Sequence, residues 1–357
     1  MSGEATPALD AQVGVVRGGF SLEVRVEVAP GRATAVMGPS GAGKSTLLGA
    51  IAGLVPLDSG HVSVDGRVLS SATQQVAASR RGTVLLGQDP RLFPHLSARE
   101  NVAFGPRAAG TAAPQARRIA DEWLERVGLA DAGSRRPAEL SGGQQQRVAI
   151  ARALAASPRL VLLDEPFTSL DPVTADGIRT LLAAQLAGRT SVIVTHDAVD
   201  AVALADRLVV VEGGRVTQAG AVREVLRAPT SDFVASLAGL NRVVGVAASG
   251  RCAVPGAGLM LGDGTDARAV DGSPVAAVFR PGDVRIVPVG APAPAAATVW
   301  RTHVARLEQT VGGVRVHTAA AGVVVDLSVE SVAESDLHPG APLTLAVAPG
   351  DVRILPV

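Results

Sequence analysis

Tyrosine is absent from the 357 residues, and the remaining aromatics are six Phe and two Trp. So sparse a set argues against a platform on which nucleic-acid bases stack in succession. Neither sign of charge predominates. Thirty-three basic residues face 33 acidic ones, which removes the electrostatic footprint of a nucleic-acid or anionic-membrane binder. The single cysteine, Cys252, excludes an internal disulfide, has no partner for a metal site, and reads as a small packed residue. No run of 18 apolar residues occurs, and the opening MSGEATPALD lacks the basic and apolar stretches of a secretory signal. The expectation is a soluble, intracellular chain. Lysine is nearly missing too: Lys44 stands alone, and every other basic residue is arginine.

What is present falls into two textures. VGVVRGGF and SLEVRVEVAPG alternate apolar and polar residues and read as strands of an antiparallel subsheet. ATAVMG (33–38) is a short apolar run that breaks at Gly38, and KSTLLGAIAGL after it has helical periodicity. RLVLLDEP (159–166) and TSVIVTHD (190–197) are continuous apolar runs ending in polar residues, the pattern of parallel strands buried on both faces. Functional groups of such sheets sit at the carboxyl ends of the strands, where Asp164, Glu165 and His196 fall. APQARRIADEWLERVGL and QQQRVAIARALAAS read as helices between them. Beyond about residue 235 short Val-rich runs separated by Gly and Pro predict a small β-barrel. FRPGDVRIVPV (279–289) recurs as VAPGDVRILPV (347–357), with 8 of 11 positions identical at an offset of 68. The Ala/Pro stretch GAPAPAAAT (290–298) reads as a linker between two related β-subdomains, 236–289 and 299–357.

The lone lysine sits inside GPSGAGKST, which matches G-x-x-x-x-G-K-[ST]. In such a loop the backbone amides of Gly38, Pro39's successors Ser40, Gly41, Ala42 and Gly43, and the helix start at Lys44, Ser45 and Thr46 surround phosphate groups. Lys44 adds a compact ammonium between the β- and γ-phosphates, and the Ser45 hydroxyl ligates Mg²⁺. A planar guanidinium does not fit that niche, which explains why arginine has not replaced this residue. The acidic pair at the end of LVLLDEP offers a second site, with Asp164 holding Mg²⁺ through water and Glu165 polarising an attacking water. By itself an Asp-Glu pair after an apolar strand is more often a solvated strand end than a catalytic site. Its weight comes from its company.

That company is LSGGQQQR (140–147), which resembles the signature of ATP-binding cassette (ABC) ATPases. Gln88 in LLGQDPRLFPH stands where the family has its Q-loop glutamine, SLD (169–171) is similar to its D-loop, and His196 in VTHD to its switch histidine. The resemblance covers residues 10 to 235 and implies an α/β P-loop cassette: a mainly parallel core sheet, an antiparallel subsheet and a helical subdomain over about 88–155. It implies ATP and Mg²⁺ as ligands, with Glu165, His196, Gln88 and Lys44 as the catalytic set. Ser45, Gln88 and Asp164 would face the metal. Ser141, Gly142, Gly143, Gln144 and Asp171 would complete the nucleotide site of a second cassette, in a head-to-tail pair of identical chains. The family stacks adenine on an aromatic upstream of the P-loop. Phe20 lies too close before Lys44 for that and reads as a core residue of an edge strand.

RLFPHLSARENVAFG (91–105) is similar to the region by which bacterial importer subunits contact a permease. The resemblance therefore implies a peripheral subunit on the cytoplasmic face of the plasma membrane, with transmembrane permease partners and, indirectly, an extracytoplasmic substrate-binding protein. VVVDLSVESVAESDLHPGAPLTLAVAPGDVRIL (323–355) is similar to the small OB-like regulatory barrel (Mop/TOBE-like) of such importers, nearest to the molybdate-binding version. The Ser-Ala-Arg-Asn stretch that opens a molybdate-binding unit is missing. Molybdate or tungstate is the first cargo expected; sulfate or thiosulfate, iron(III), polyamine or sugar import are the alternatives. A soluble, non-transport cassette ATPase is a further one.

Overall fold

The computed structural model describes residues 6–168, 170–264, 270–288, 292, 297–310, 312–319 and 322–357. Its contacts divide the chain into two compact units, Met1–Val225 and Leu226–Val357. Most of the expected linker 290–298, and Ser169 of the SLD segment, lie outside the described residues.

The first unit is built on one sheet. Its strands are β1 (Leu9–Arg17), β2 (Phe20–Val28), β3 (Ala33–Met37), β4 (Ser59–Val64), β5 (Arg67–Ser71), β6 (Thr83–Leu86), β7 (Leu160–Asp164), β8 (Ser191–Val194), β9 (Arg207–Glu212) and β10 (Arg215–Ala221). They run in the order β5-β4-β1-β2-β10-β9-β3-β8-β7-β6. β9, β3, β8, β7 and β6 are mutually parallel, while β1 pairs antiparallel with both β2 and β4. The two textures of the sequence map onto these two halves. β3 and β8 are buried at every position because the parallel core is covered on both faces. β2 alternates buried and exposed along its length, as a strand with one wet face does. Phe20 opens β2, which lies between β1 and β10, so the expected edge strand is an inner one. β10, its second neighbour, joins from almost 200 residues downstream, which the local sequence around Phe20 does not show.

Helix α1 (Lys44–Ala52) follows β3 and is buried from Leu47 to Ala52. Three further helices, α2 (Ala98–Ala108), α3 (Ala113–Arg126) and α4 (Gly142–Ala155), pack on one another. α3 buries Ala116, Ala120, Trp123 and Leu124, a one-sided stripe at helical spacing. α5 (Pro172–Leu186) leads into β8, α6 (Ala198–Leu204) leaves it, and α7 (Val222–Arg227) carries the division between the units.

The second unit holds α8 (Asp232–Leu237), β11 (Asn241–Ala248), β12 (Arg251–Val254), β13 (Leu259–Leu261), β14 (Pro274–Phe279), β15 (Val284–Ile286), β16 (Thr298–Thr310), β17 (Gly313–Thr318), β18 (Val324–Leu327), α9 (Val329–Glu334), β19 (Pro342–Val347) and β20 (Arg353–Pro356). Two five-stranded sheets form, β13-β12-β11-β14-β20 and β15-β19-β16-β17-β18. The repeated PGDVRI segments explain the pairing. In each copy the Pro-Gly-Asp turn redirects the chain, so the next strand joins the other half. β15 pairs with β19, and β20 pairs with β14. The two related β-subdomains are therefore not independent barrels. They exchange their last strands and share one core that includes Val243, Phe279, Trp300, Leu345 and Ile354. No helix among the described residues is long and apolar enough to cross a membrane.

Candidate nucleotide site

β3 ends at Met37, and the chain must then turn within a few residues into α1. Gly38 permits this because any Cβ there would collide with the carbonyl oxygen of Val211. Gly41 and Gly43 take φ of +80° and +96°, which side-chain-bearing residues rarely adopt. A Cβ on Gly43 would also stand 2.7 Å from Leu22 Cδ1 and 3.1 Å from the Phe20 ring. The two ends of the loop are thus packed closely, Gly38 against β9 and Gly43 against β2. Lys44, at the first position of α1, folds back over it, donating from Nζ to the carbonyls of Gly38 (2.7 Å) and Pro39 (3.0 Å). Partial burial lowers its pKa, against the raising pull of Glu165 and Asp164. A cation already seated in a ring of backbone groups, at a helix N-terminus, is a receptor for anionic oxygens.

Asp164 ends β7 beside this loop. Burial pushes its carboxyl pKa up, a hydrogen bond with Ser45 pulls it down, Glu165 raises it and Lys44 lowers it; the balance is upward. Its Oδ1 is buried with no hydrogen-bond partner among the described residues. An orphaned carboxylate oxygen next to a serine hydroxyl is an all-oxygen donor set, which suits Mg²⁺ completed by phosphate oxygens and water.

Glu165 follows at φ +47°, a left-handed conformation that costs a non-glycine residue on the order of 1 kcal/mol or more. Its amide is fixed by the Val194 carbonyl at 2.9 Å, and the turn swings its carboxylate out of line with β7. There Oε2 accepts from Gln88 Nε2 at 3.2 Å and from Thr168 Oγ1 at 3.0 Å, with His196 Nδ1 at 3.5 Å. Gln88, Glu165 and His196, which lie 31 to 108 residues apart, meet at one oxygen.

Ser141 caps α4, accepting from the Gln144 amide at 3.3 Å while the Gln144 side chain accepts from the Ser141 amide at 3.0 Å. Gly142 and Gly143 occupy the first helical turn, whose amides have no partner within the helix. This second cradle makes no hydrogen bond or ion pair with loop 38–46 among the described residues. Asp171 caps α5 by accepting from Thr174 N at 3.0 Å, and its pKa is lowered by hydrogen bonds to Thr174. Three polar residues were not singled out from the sequence. Thr168 reaches Glu165 only because the intervening turn closes. Buried Gln146 donates to the Pro166 carbonyl at 3.0 Å and ties α4 to that turn. Asn101, fully buried, bonds Phe93, Leu96 and Ser97 and folds the segment after Gln88. A lone Asn within an apolar helix face was the available signal for the last.

A strand, a glycine loop, a lysine-headed helix and an acidic strand end define a P-loop nucleotide-binding protein. The ABC transporter family model matches residues 22–168. The Fe(3+) ions import ATP-binding protein FbpC of Streptomyces coelicolor is 42% identical over 309 residues, 84% of this chain and 85% of that one. The chain belongs to the family of ABC transporter ATP-binding proteins. The molybdenum import ATP-binding protein ModC of Mycobacterium tuberculosis is 48% identical over 232 residues, and that match spans 63% of either chain. Among solved structures, cbiO1 from Clostridium perfringens, part of the ABC transporter complex cbiONQ, aligns with a TM-score of 0.56 at 29% identity. It covers 62% of this chain and 91% of that one.

Proposed function

We propose that this chain is the ATP-hydrolysing subunit of an ABC importer, working as a head-to-tail pair of cassettes at the cytoplasmic face of a membrane permease. The observation that carries the reading is the convergence of Gln88, Thr168 and His196 on Glu165 Oε2, beside a lysine seated in the phosphate loop. The amides of 38–46 bind the triphosphate, and Lys44 exchanges its two carbonyl partners for phosphate oxygens. Glu165 orients the attacking water and takes its proton, and His196 stands against the γ-phosphate. Gln88 relays the occupancy of the site to the segment Asn101 folds. Asp164 and Ser45 would hold Mg²⁺, which when bound offsets charge on the phosphate oxygens. The cradle at Ser141, Gly142, Gly143 and Gln144, with Asp171, closes over the nucleotide of the second copy.

Phe104 is 48% exposed and its ring lies tilted against Phe93, the centroids 4.6 Å apart, so the segment after Gln88 presents an apolar surface for the permease. Molybdate or tungstate is the first cargo reading, supported by the similarity of the cassette to the molybdenum relative. Iron(III) is the second, supported by the iron relative that aligns over most of the chain, including part of the second unit. Three measurements test this. The full chain should hydrolyse Mg-ATP with a rate that rises faster than linearly with chain concentration, and it should co-purify with a multi-span membrane protein. In cells deprived of the chain, loss of radiolabelled molybdate uptake supports the first cargo, and loss of iron(III) uptake alone replaces it with the second. ATP-independent behaviour of the purified chain would sink the ATPase reading.

A further inference from the structure

His196 poses a problem of aim. Its side chain is 62% exposed, and its one polar contact among the described residues is Glu165 Oε2 at 3.5 Å. With so much of the side chain in solvent, its direction is set chiefly by the backbone on either side.

That backbone is clamped. The hydroxyl of Thr195, a residue 2% exposed, accepts from the Asp197 amide at 3.1 Å and donates to Asp200 Oδ2 at 2.7 Å. One oxygen thus ties together the residues immediately before and after His196. The Thr195 amide is held in turn by the Val36 carbonyl at the end of β3, at 3.3 Å. Asp200, 4% exposed on α6, receives Arg179 Nε from α5 at its other oxygen, at 2.8 Å. The Arg179 guanidinium also lies over the Phe167 ring, 5.3 Å from its centroid, and Phe167 stands two residues after Glu165.

We propose that Arg179 and Asp200 are a positioning pair that, through Thr195, sets where His196 stands relative to Glu165. The inference rests on the reading of this site as an ATPase. A single guanidinium braces both loops that face the γ-phosphate, one through Asp200 and one through Phe167. α5, which carries it, is capped by Asp171, so a displacement of the loop before α5 reaches His196 through this pair. Stability alone is a weak reason for such an arrangement, because a buried ion pair recovers little more than the cost of desolvating its charges. Fixing a geometry is a better one. Misplacing a reacting group by about 1 Å costs up to about 100-fold in rate.

The test uses the full chain and Mg-ATP. Thr195→Val removes the hydroxyl at nearly constant volume, and Thr195→Ser keeps it. We expect Thr195→Val to lower kcat about tenfold or more with KM within about twofold, and Thr195→Ser to stay near wild type. Adding Thr195→Val to His196→Ala should cost no further activity, since both act at one point. Wild-type kcat in folded Thr195→Val, or losses that multiply in the double variant, overturn the proposal. Should Thr195→Val not fold, Arg179→Met breaks the same link with an unbranched side chain that cannot donate to Asp200, and an unchanged kcat there overturns it equally. A wild-type chain without ATPase activity would remove the reading beneath the proposal. An active wild type with an indifferent Thr195→Val removes the proposal alone.

Discussion

Replacing Lys44 by arginine preserves charge and changes shape, so it isolates what the phosphate loop asks of its cation. The ammonium stands 2.7 and 3.0 Å from two carbonyls of the loop, a space for one small donor group. A guanidinium is planar and wider, and the loop is packed closely at both ends. Gly38 is packed against Val211, and Gly43 has Leu22 within 2.7 Å of its missing Cβ. The arginine head must therefore stand outside the niche, too far from the bridging phosphate oxygens to follow their charge into the transition state. Removing one preorganised donor of this kind costs about 100- to 1,000-fold in rate, roughly 3–4 kcal/mol. Lys44→Arg should accordingly lose about that much in kcat/KM, most of it in kcat, with a Tm within a few degrees of wild type. The assay is steady-state phosphate release alongside thermal unfolding. Activity within about threefold of wild type would refute the reasoning, because charge alone would then suffice.

Other perturbations have equally definite outcomes. Thr168→Val removes the 3.0 Å hydrogen bond to Glu165 and should lower kcat about tenfold or more, the equivalent of one bond to a charged acceptor, with Thr168→Ser restoring it. Asp164 has a raised pKa, so the folded chain without nucleotide binds this proton more tightly than the unfolded chain. The stability it contributes is greatest at low pH and is lost as pH rises from its ordinary value through its folded one. Asp164→Asn should therefore raise the Tm of the nucleotide-free chain at pH 7, with the gain shrinking at pH 4, while Mg-ATP hydrolysis disappears. Arg81 is 2% exposed and donates to the Val76, Ala50 and Ile51 carbonyls and the Ser70 hydroxyl. Arg81→Ala strands those acceptors and should cost about 3 kcal/mol or more in denaturant unfolding.

Local patterns made the cassette legible to a large degree. Gly38 to Thr46 and the strand-end acids Asp164 and Glu165 each declare themselves within ten residues, because glycine turns and parallel strands are local requirements. The left-handed turn at Glu165 is not local in this sense. Nothing in DEPFT demands a positive φ there, and the conformation is held by Val194 on the next strand. The Thr195, Asp200 and Arg179 chain escaped for a similar reason, since Arg179 meets Asp200 across 21 residues and two elements. The second unit shows the limit most clearly. Its repeat was visible in PGDVRI, yet whether each final strand folds back on its own copy or crosses to the other depends on a turn of three residues. Identical local sequence serves both pairings.

The central claim is that Glu165 activates water for a nucleotide shared between two copies of this chain. Glu165→Gln keeps the volume and lets an amide oxygen still accept from Gln88 and Thr168, so the site survives while its base does not. Light scattering of this variant with and without Mg-ATP, paired with phosphate release, tests the claim most directly. The mass should double on adding Mg-ATP, and turnover should fall by about 100-fold or more. A variant that stays monomeric with ATP and hydrolyses it at the wild-type rate would contradict it.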